Sequence, residues 1–344
     1  MGVNQSDITH AWRAFFPRRT LQYVKSTTSG LIHASYQLRD DQGQMYLLQR
    51  VNQRVFPDVE TMTYNFEQLH LYLPDFSGGL RFPRLFPDRA GKLLYSSPEG
   101  TVWRMQEFLP GTYTPEVCRN TRMARVAGKA SGTFLRKLDE YLPHLLRETI
   151  PGFHDIVARR QKLEQAARSA EKQRQKQAGA ELDEINTAWE QLHPQLPAHL
   201  PVRNVHNDPK LGNMLFDVST RQLVAVIDWD TIMPGTVITD YGDLVRTACA
   251  NLPEDATRTD AVCIKPDFLE ALTTGFLEGA GDLLADTERE YLHLGPRWII
   301  LEQAIRFLTD YLENDRYYPV QYPGQNLLRA KNQLSLYTSY HSLR

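Results

Sequence analysis

Along the first hundred residues apolar side chains recur at every second position in short runs, the signature of strands with one covered face. Leu21-Gln22-Tyr23-Val24, Ser35-Tyr36-Gln37-Leu38-Arg39 and Met45-Tyr46-Leu47-Leu48-Gln49-Arg50 are three such runs, and Asp40-Asp41-Gln42-Gly43 is a hairpin turn between the last two. Lys92-Leu93-Leu94-Tyr95 and Thr101-Val102-Trp103-Arg104-Met105-Gln106 make a second hairpin, and 57–73 is the one helix expected in this region. Glu107-Phe108-Leu109-Pro110-Gly111 then breaks the pattern and helical periodicity follows. The chain therefore predicts an α+β fold of two lobes: a small β-rich N-lobe over 1–106, a hinge over 107–111 and a larger, mainly helical C-lobe over 112–344. Residues 155–195 stand apart, rich in Arg, Lys, Gln, Ala and Glu. Helical, coiled and partly disordered readings are all open, a charged helical insertion being preferred; the charges are mixed and no aromatics interleave, as on a solvated helix face rather than a nucleic-acid surface.

Inside the helical lobe a pair of short apolar strands flanks the polar loop His206-Asn207-Asp208-Pro209-Lys210-Leu211-Gly212-Asn213, and Asp228 follows at the end of Val224-Ala225-Val226-Ile227. An aspartate two residues after a histidine, an asparagine five residues later and an acid after the next strand is the layout of a kinase catalytic centre, which makes the two-lobed plan protein-kinase-like. Phosphoryl transfer needs a carboxylate beside the acceptor hydroxyl and a few oxygen ligands for the Mg²⁺ that bridges the ATP phosphates. Asp208 is the expected base, with Asn213 and Asp228 as metal ligands. The bland alternative is an Asn-Asp-Pro turn with a helix cap. Lys210 is placed to offset charge on the migrating phosphoryl group, or is a solvated lysine. His206 reads as structural. Asp230 is either a further metal ligand, the reading preferred here, or a cap for the turn at Met233-Pro234-Gly235. Asp240 and Asp243 open a helix and read as scaffold.

ATP would lie against the β-rich lobe. The loop 26–33 joins the first two strands, and Thr28, Ser29 and Gly30 would meet phosphate oxygens there. Only one glycine is present, so position carries this reading more than composition. The third strand has no lysine for the α- and β-phosphates: Gln49 or Arg50 must substitute, and alternation puts only one of them on the inner face. Gln106 to Phe108 would offer backbone groups to adenine. On the acceptor side, Glu302, Arg306 and Asp310 lie on one face of the helix 298–313, as an exposed ion-pair ladder or as a polar stripe toward substrate. The stripe is preferred, with Arg306 and Asp310 as substrate contacts. Tyr317 could stack on a sugar ring or pack in the core, and His33 is a further acceptor candidate from its place beside the phosphate loop.

The chain of 344 residues is 42% hydrophobic with a formal charge of −2, an ordinary globular balance that argues against a polyanionic partner. Its three cysteines are widely spaced and suit a reducing compartment. The N-terminal residues lack an apolar signal core, and no stretch reaches the length of a membrane span. A cytoplasmic protein acting on a small-molecule acceptor, with neither nucleic-acid nor membrane partner, is expected.

Together these segments resemble the aminoglycoside phosphotransferase superfamily, and within it the N-acetylhexosamine 1-kinases. The particular stretches are Tyr46 to Asn52 with Val55-Phe56-Pro57-Asp58, Glu148 to Asp155, Val226-Ile227-Asp228 to Arg246, and Ile305 to Leu312 with Asp315 and Tyr317. The resemblance implies ATP- and Mg²⁺-dependent phosphorylation of the anomeric hydroxyl of N-acetylglucosamine or N-acetylgalactosamine, with Asp208 as base and Asn213 and Asp228 on the metal. The chain departs from the branch at His33-Ala34-Ser35, where Asn-Asp-Thr is usual, at Tyr64, where a glutamate is common, and at Trp229, often leucine. The first change touches the acceptor's identity rather than the transfer. Other acceptors are another sugar, an amino alcohol such as homoserine or choline, or an aminoglycoside, although the larger lobe has no dense acidic cluster for the last. A nucleotide-binding pseudokinase is the alternative from another class.

Overall fold

The computed structural model describes residues 4–27, 32–73, 80–142 and 144–343. The chain forms two compact units, one of Met1–Tyr113, Leu146–Ile150 and Phe216–Asp230, the other of Thr114–Leu145, Pro151–Leu215 and Thr231–Arg344. The first is sheet-based and the second helical, the α+β, kinase-like two-lobed fold.

In the first unit the strands β1 (Leu21–Ser26), β2 (Ala34–Asp40), β3 (Met45–Arg50), β4 (Leu85–Phe86), β5 (Tyr95–Ser96) and β6 (Val102–Glu107) form one sheet in the order β1-β2-β3-β6-β4, with β5 also on β6. The pairings among them are antiparallel, with Ala34 opposite Arg50 and Gln49 opposite Arg104. One face carries Leu38, Tyr46, Leu48, Trp103 and Met105, and a helix the alternation does not predict, α1 (Gln5–Phe15), packs Ile8, Ala11, Trp12 and Phe15 against them. This corrects the expectation of a single helix in this region. Burying Ile8 and Phe15 contributes about 1.5–3 kcal/mol each, and Asn4 caps the helix by accepting the Asp7 N–H at 2.9 Å. The second helix, α2 (Val59–Tyr72), starts on Asp58, whose carboxylate accepts the Thr61 N–H at 2.9 Å. Residues 146–150 join this unit through a reciprocal pair: Asn65 donates to the Arg147 carbonyl at 2.8 Å and accepts its N–H at 3.0 Å. A smaller sheet sets β7 (Thr112–Tyr113) beside β9 (Met214–Asp217), which is flanked by β10 (Leu223–Val226).

The second unit is built on α3 (Thr121–Tyr141), α4 (Ile156–Ser169), α5 (Lys172–Gln177), α6 (Gly179–Leu192), α7 (Val237–Ala248), α8 (Pro266–Ala280), α9 (Asp286–Tyr291), α10 (Leu294–Leu312) and α11 (Gln325–His341), with β8 (Arg203–Val205) pairing β11 (Met233–Gly235). The charged stretch after 155 is helical. It is tied to α10 and its continuation by Arg174 to Asp315 at 2.9 Å and by Tyr311 to Gln177 at 2.6 Å. No helix among the described residues is long and apolar enough to cross a membrane.

Helix α7 reaches α10 through facing glycines. A Cβ on Gly242 would stand 2.2 Å from the Gly295 carbonyl oxygen, and one on Gly295 1.9 Å from the Ile238 carbonyl oxygen. Backbone cannot yield that much without the helices parting. Gly242→Ala is therefore expected to cost about 1–3 kcal/mol, read as a lower urea midpoint at unchanged m-value. An unchanged midpoint would mean that the crossing is not tight.

Candidate active-site residues

The second unit holds Asp208 on a loop fixed from several sides. Strand β8 delivers the chain to His206, and Asp240, in the first turn of α7, accepts the backbone N–H groups of His206 at 2.9 Å and Asn207 at 2.7 Å. Burial pushes the Asp240 carboxyl up to about 7 against the pull of those two bonds. Asn207 turns the chain in the left-handed region at φ 60°, which asparagine tolerates, and its amide donates to the carbonyls of Thr231 at 3.0 Å and Met233 at 3.2 Å. His206 is buried and its Nδ1 accepts the Asp208 N–H at 3.3 Å, a structural role.

Around Asp208, Lys210 Nζ donates to Oδ2 at 2.6 Å, while Asn213 Nδ2 donates to the same oxygen at 3.0 Å and to the Asp208 carbonyl at 2.8 Å. Burial works against the carboxylate, but Lys210 together with His206 and Arg246 outweighs it and holds the Asp208 carboxyl below the usual carboxylate range. Lys210, expected at the phosphoryl group, is thus paired with Asp208. Asn213 uses its amide nitrogen toward Asp208, and its Oδ1 accepts no hydrogen bond from a described residue, which suits an oxygen ligand for a cation.

In the same unit, His154 donates from Nε2 to the Asn207 carbonyl at 2.8 Å and from Nδ1 to Glu302 at 3.2 Å. Two acceptors on two ring nitrogens require the doubly protonated imidazolium. Arg306 lies one turn beyond Glu302 on α10, 3.8 Å from its carboxylate, over the rings of Phe153 and Tyr318. The exposed ion-pair ladder, the alternative to a substrate-facing stripe at 302, 306 and 310, does not form, because α10 is buried along most of its length. Asp310 corrects its expected substrate role: its carboxylate accepts the N–H groups of Arg316, Tyr317 and Tyr318 at 2.8–2.9 Å and the Asn326 amide at 2.9 Å, so it fixes the turn after α10. Tyr317, on that turn, is 48% exposed.

In the first unit, Asp228 follows β10 with φ 69°, in the left-handed region that aspartate enters more readily than most residues. His33, Asp228 and Asp230 each bring a ligand atom within 4.8 Å of the others. The trio does not fit a cation as a set. His33 Nδ1 accepts the Asn52 N–H at 3.0 Å, so Nε2 carries the proton donated to Asp230 Oδ2 at 2.9 Å and the ring offers no lone pair. Asp230 is gripped by both guanidinium nitrogens of Arg104, one bond at 2.6 Å, with the two side chains 3% and 1% exposed. Burial opposes that charge, and Arg104 with His33 more than offsets it, keeping the Asp230 carboxyl well below the ordinary range. The Asp230 carbonyl also accepts Thr149 Oγ1 at 2.8 Å. Asp230 is thus corrected from metal ligand to clamp, and His33 from acceptor contact to a member of the same clamp.

The nucleotide residues sort by sheet face. Arg50 alternates with Tyr46 and Leu48 and falls on the α1 face, so it does not take the place of the missing lysine. Gln49 points the other way, accepting from Arg104 Nε at 2.8 Å and Gln106 Nε2 at 2.6 Å and donating to Ser35 Oγ at 3.0 Å. Arg104 lies on that face opposite Gln49 and stacks over Phe66 of α2. Gln106 lies between β3 and β4, which corrects it as an adenine contact: both its edges face a strand. Phe108 follows β6 outside the ladder. Thr28, Ser29 and Gly30 lie outside the described residues.

Arg104, His154 and Arg159 take part in these networks although the sequence analysis assigns them no role. Arg104 is legible as the polar partner of Gln106, alternating with Trp103 and Met105. His154 and Arg159 carry no local signal, since their roles depend on Asn207 and Glu302, distant in sequence.

Solved structures similar to this chain share its fold. The amicoumacin kinase hAmiN in complex with AMP-PNP, Ca²⁺ and Ami matches over 99% of this chain and 98% of its own, at TM-score 0.62 and 13% identity. The microcompartment-associated aminopropanol kinase matches over 99% and 98%, at 0.64 and 16%, and the GDP complex of aminoglycoside 2'-phosphotransferase-IIIa over 97% and 99%, at 0.64 and 13%. A family model described as the phosphotransferase enzyme family matches residues 24–287, well over half of the sequence. The chain belongs to the phosphotransferase enzyme family.

Proposed function

We propose that this protein is an ATP- and Mg²⁺-dependent small-molecule kinase that phosphorylates the anomeric hydroxyl of an N-acetylhexosamine. The observation that carries transfer is the Asp208 loop: an ionised carboxylate flanked by Lys210 and Asn213, on backbone fixed by Asp240. Structural neighbours with bound AMP-PNP and Ca²⁺ or with ADP support the nucleotide and a divalent cation. The sugar rests on the sequence resemblance to N-acetylhexosamine 1-kinases.

In this reading Asp208 accepts a hydrogen bond from the acceptor hydroxyl and orients it. The acceptor oxygen forms its bond to the γ-phosphorus as the bond from phosphorus to the β,γ-bridging oxygen breaks. The hydroxyl proton passes to Asp208 and ADP leaves. With its carboxyl below the usual range, Asp208 is a weak base in the ground state. Proton transfer then comes late, as suits a loose phosphoryl transition state. Lys210 turns from Asp208 toward the transferring group as charge develops there. A bound Mg²⁺ would neutralise phosphate charge, and Asn213 and Asp228 are the oxygen donors proposed for it. Phe108 is the proposed adenine-side residue, Thr28 to Gly30 the proposed phosphate loop, and Tyr317 a sugar-stacking residue.

The test is ADP release with Mg-ATP on N-acetylglucosamine, N-acetylgalactosamine, galactose, homoserine, choline and kanamycin, with NMR of the product. A sugar 1-phosphate from an N-acetylhexosamine is expected. Turnover on another acceptor alone would overturn the sugar assignment. Mg²⁺-dependent ATP binding without turnover on any acceptor would favour a pseudokinase, the reading motivated by the lysine missing from β3.

A further inference from the structure

Asn207 turns the chain immediately before Asp208, and each of its polar groups is held separately. Its N–H goes to Asp240 at 2.7 Å, its amide to the Thr231 and Met233 carbonyls, and its carbonyl accepts His154 Nε2 at 2.8 Å. That carbonyl belongs to the planar peptide joining Asn207 to Asp208. The other polar end of the peptide, the Asp208 N–H, donates at 3.3 Å to His206, a member of the same loop. Among the described residues His154 is therefore the one tie on this peptide from outside the loop 206–213. Tilting the peptide redirects the Asp208 Cα–Cβ bond, and with it the carboxylate.

His154 is itself fixed from α10. Trp298 Nε1 donates to its carbonyl at 3.2 Å, and Glu302 accepts from Nδ1 at 3.2 Å. Its side chain is 13% exposed, with Phe153 edge-on to the ring. Charged groups face the imidazole from each element packed near it. Glu302 and Arg306 come from α10, Arg159 of α4 acts on both of those, and Asp240 comes from α7. Behind Asp240 lie Asp243 and Arg246, and Arg246 also pairs with Glu254. Burial disfavours the imidazolium, but Glu302 and the two hydrogen bonds more than offset burial and Arg306, so the ring keeps its proton above the ordinary histidine value.

We propose that His154 is a positioning residue for phosphoryl transfer: as an imidazolium bridging Glu302 to the Asn207 carbonyl, it fixes the peptide that aims the Asp208 carboxylate. This rests on the reading of Asp208 as the acceptor base and adds a residue that acts through Asn207 rather than on substrate. When the ring loses a proton, the remaining one stays on Nδ1, because the Glu302 carboxylate is the stronger acceptor. Nε2 then presents a lone pair to the Asn207 carbonyl oxygen, and the two repel. The tie is complete below the ordinary histidine pKa and is lost as pH rises through the higher folded one. Asp240, its carboxyl at about 7, gains charge over the same rise and favours the imidazolium, so it opposes the decline.

The test is single-turnover transfer from Mg-ATP to N-acetylglucosamine, or to the acceptor that the panel above identifies, from neutral to alkaline pH. The wild-type rate should fall on the alkaline side. His154→Leu should lower the rate about 10²-fold, the cost of a small misplacement of a reacting group, with the half-saturating acceptor concentration near wild type. His154→Gln sets an amide NH₂ where Nε2 lies. It should recover most of the rate and lose the alkaline decline, because the amide does not titrate. Glu302→Gln should move the decline to lower pH by about one unit or more, the effect of removing an adjacent opposite charge. If His154→Leu fails to fold, His154→Gln and Glu302→Gln carry the test. The same alkaline profile in wild type, His154→Gln and Glu302→Gln would assign the decline to another group and overturn the proposal. A wild-type rate in His154→Leu would overturn it as well. Failure of the underlying reading looks different: wild-type-like transfer by Asp208→Asn, or no transfer to any acceptor, removes the base and leaves His154 nothing to position.

Discussion

Asp208→Asn is expected to lower kcat about 10³-fold on any acceptor the enzyme uses, within the range a positioned base supplies, and to leave the nucleotide dissociation constant within about twofold of wild type. The substitution preserves shape and removes the one group able to hold the acceptor proton. Lys210 loses its partner at 2.6 Å, but that lysine is 36% exposed, so the stability change should stay under about 1 kcal/mol. The Asp208 carboxyl lies below its ordinary value because Lys210, with His206 and Arg246, outweighs burial. Its contribution to wild-type stability is therefore complete above the unfolded pKa and is lost as pH falls toward the folded one. The variant should lack that acid-side slope. Single-turnover transfer from ATP, together with calorimetric nucleotide binding, separates the effects: a fallen transfer rate with intact binding is the expected pair. Wild-type-like turnover would remove Asp208 from the chemistry.

What the sequence disclosed follows a physical division. Strands β2 and β3 were legible because alternation and the Asp40–Gly43 turn are local, and the loop from His206 to Asn213 was legible because chemistry fixes its spacing. Helix α1 has its own local signal in Ile8, Ala11, Trp12 and Phe15 at three- and four-residue intervals, but a polar start hid it. The choice between Gln49 and Arg50 required knowing which sheet face α1 covers. Asp310 and Arg306 were indistinguishable on one helical stripe. The first is held by the turn that follows it and the second by nothing comparable, a difference set by residues 316–318 folding back. Asp230 and His33 were misread for a related reason: a carboxylate two residues from a metal ligand suggests metal until a buried arginine from another strand occupies both its oxygens.

That arginine makes Asp230→Ala the variant with the largest expected effect on stability, about 3–5 kcal/mol, because it leaves the Arg104 charge buried and unpaired. The pair itself need not be strongly stabilising. Replacing both partners by apolar side chains of similar size, as in Arg104→Met with Asp230→Leu, should recover most of the loss, and a double-mutant cycle by urea denaturation would measure the coupling. What the double variant should not recover is divalent-cation affinity. Asp228 sits at φ 69° beyond the end of β10, and two residues on the Asp230 carboxylate is held by Arg104 and His33. An apolar pair can refill the volume, but it cannot restore those directional bonds beside Asp228, whose conformation costs of order 1–3 kcal/mol. Mn²⁺ binding followed by electron paramagnetic resonance, with nucleotide present, should therefore be weaker by about tenfold or more in the double variant at restored stability, since one decade corresponds to about 1.4 kcal/mol. Cation affinity that returns together with stability would show that the clamp serves the fold alone.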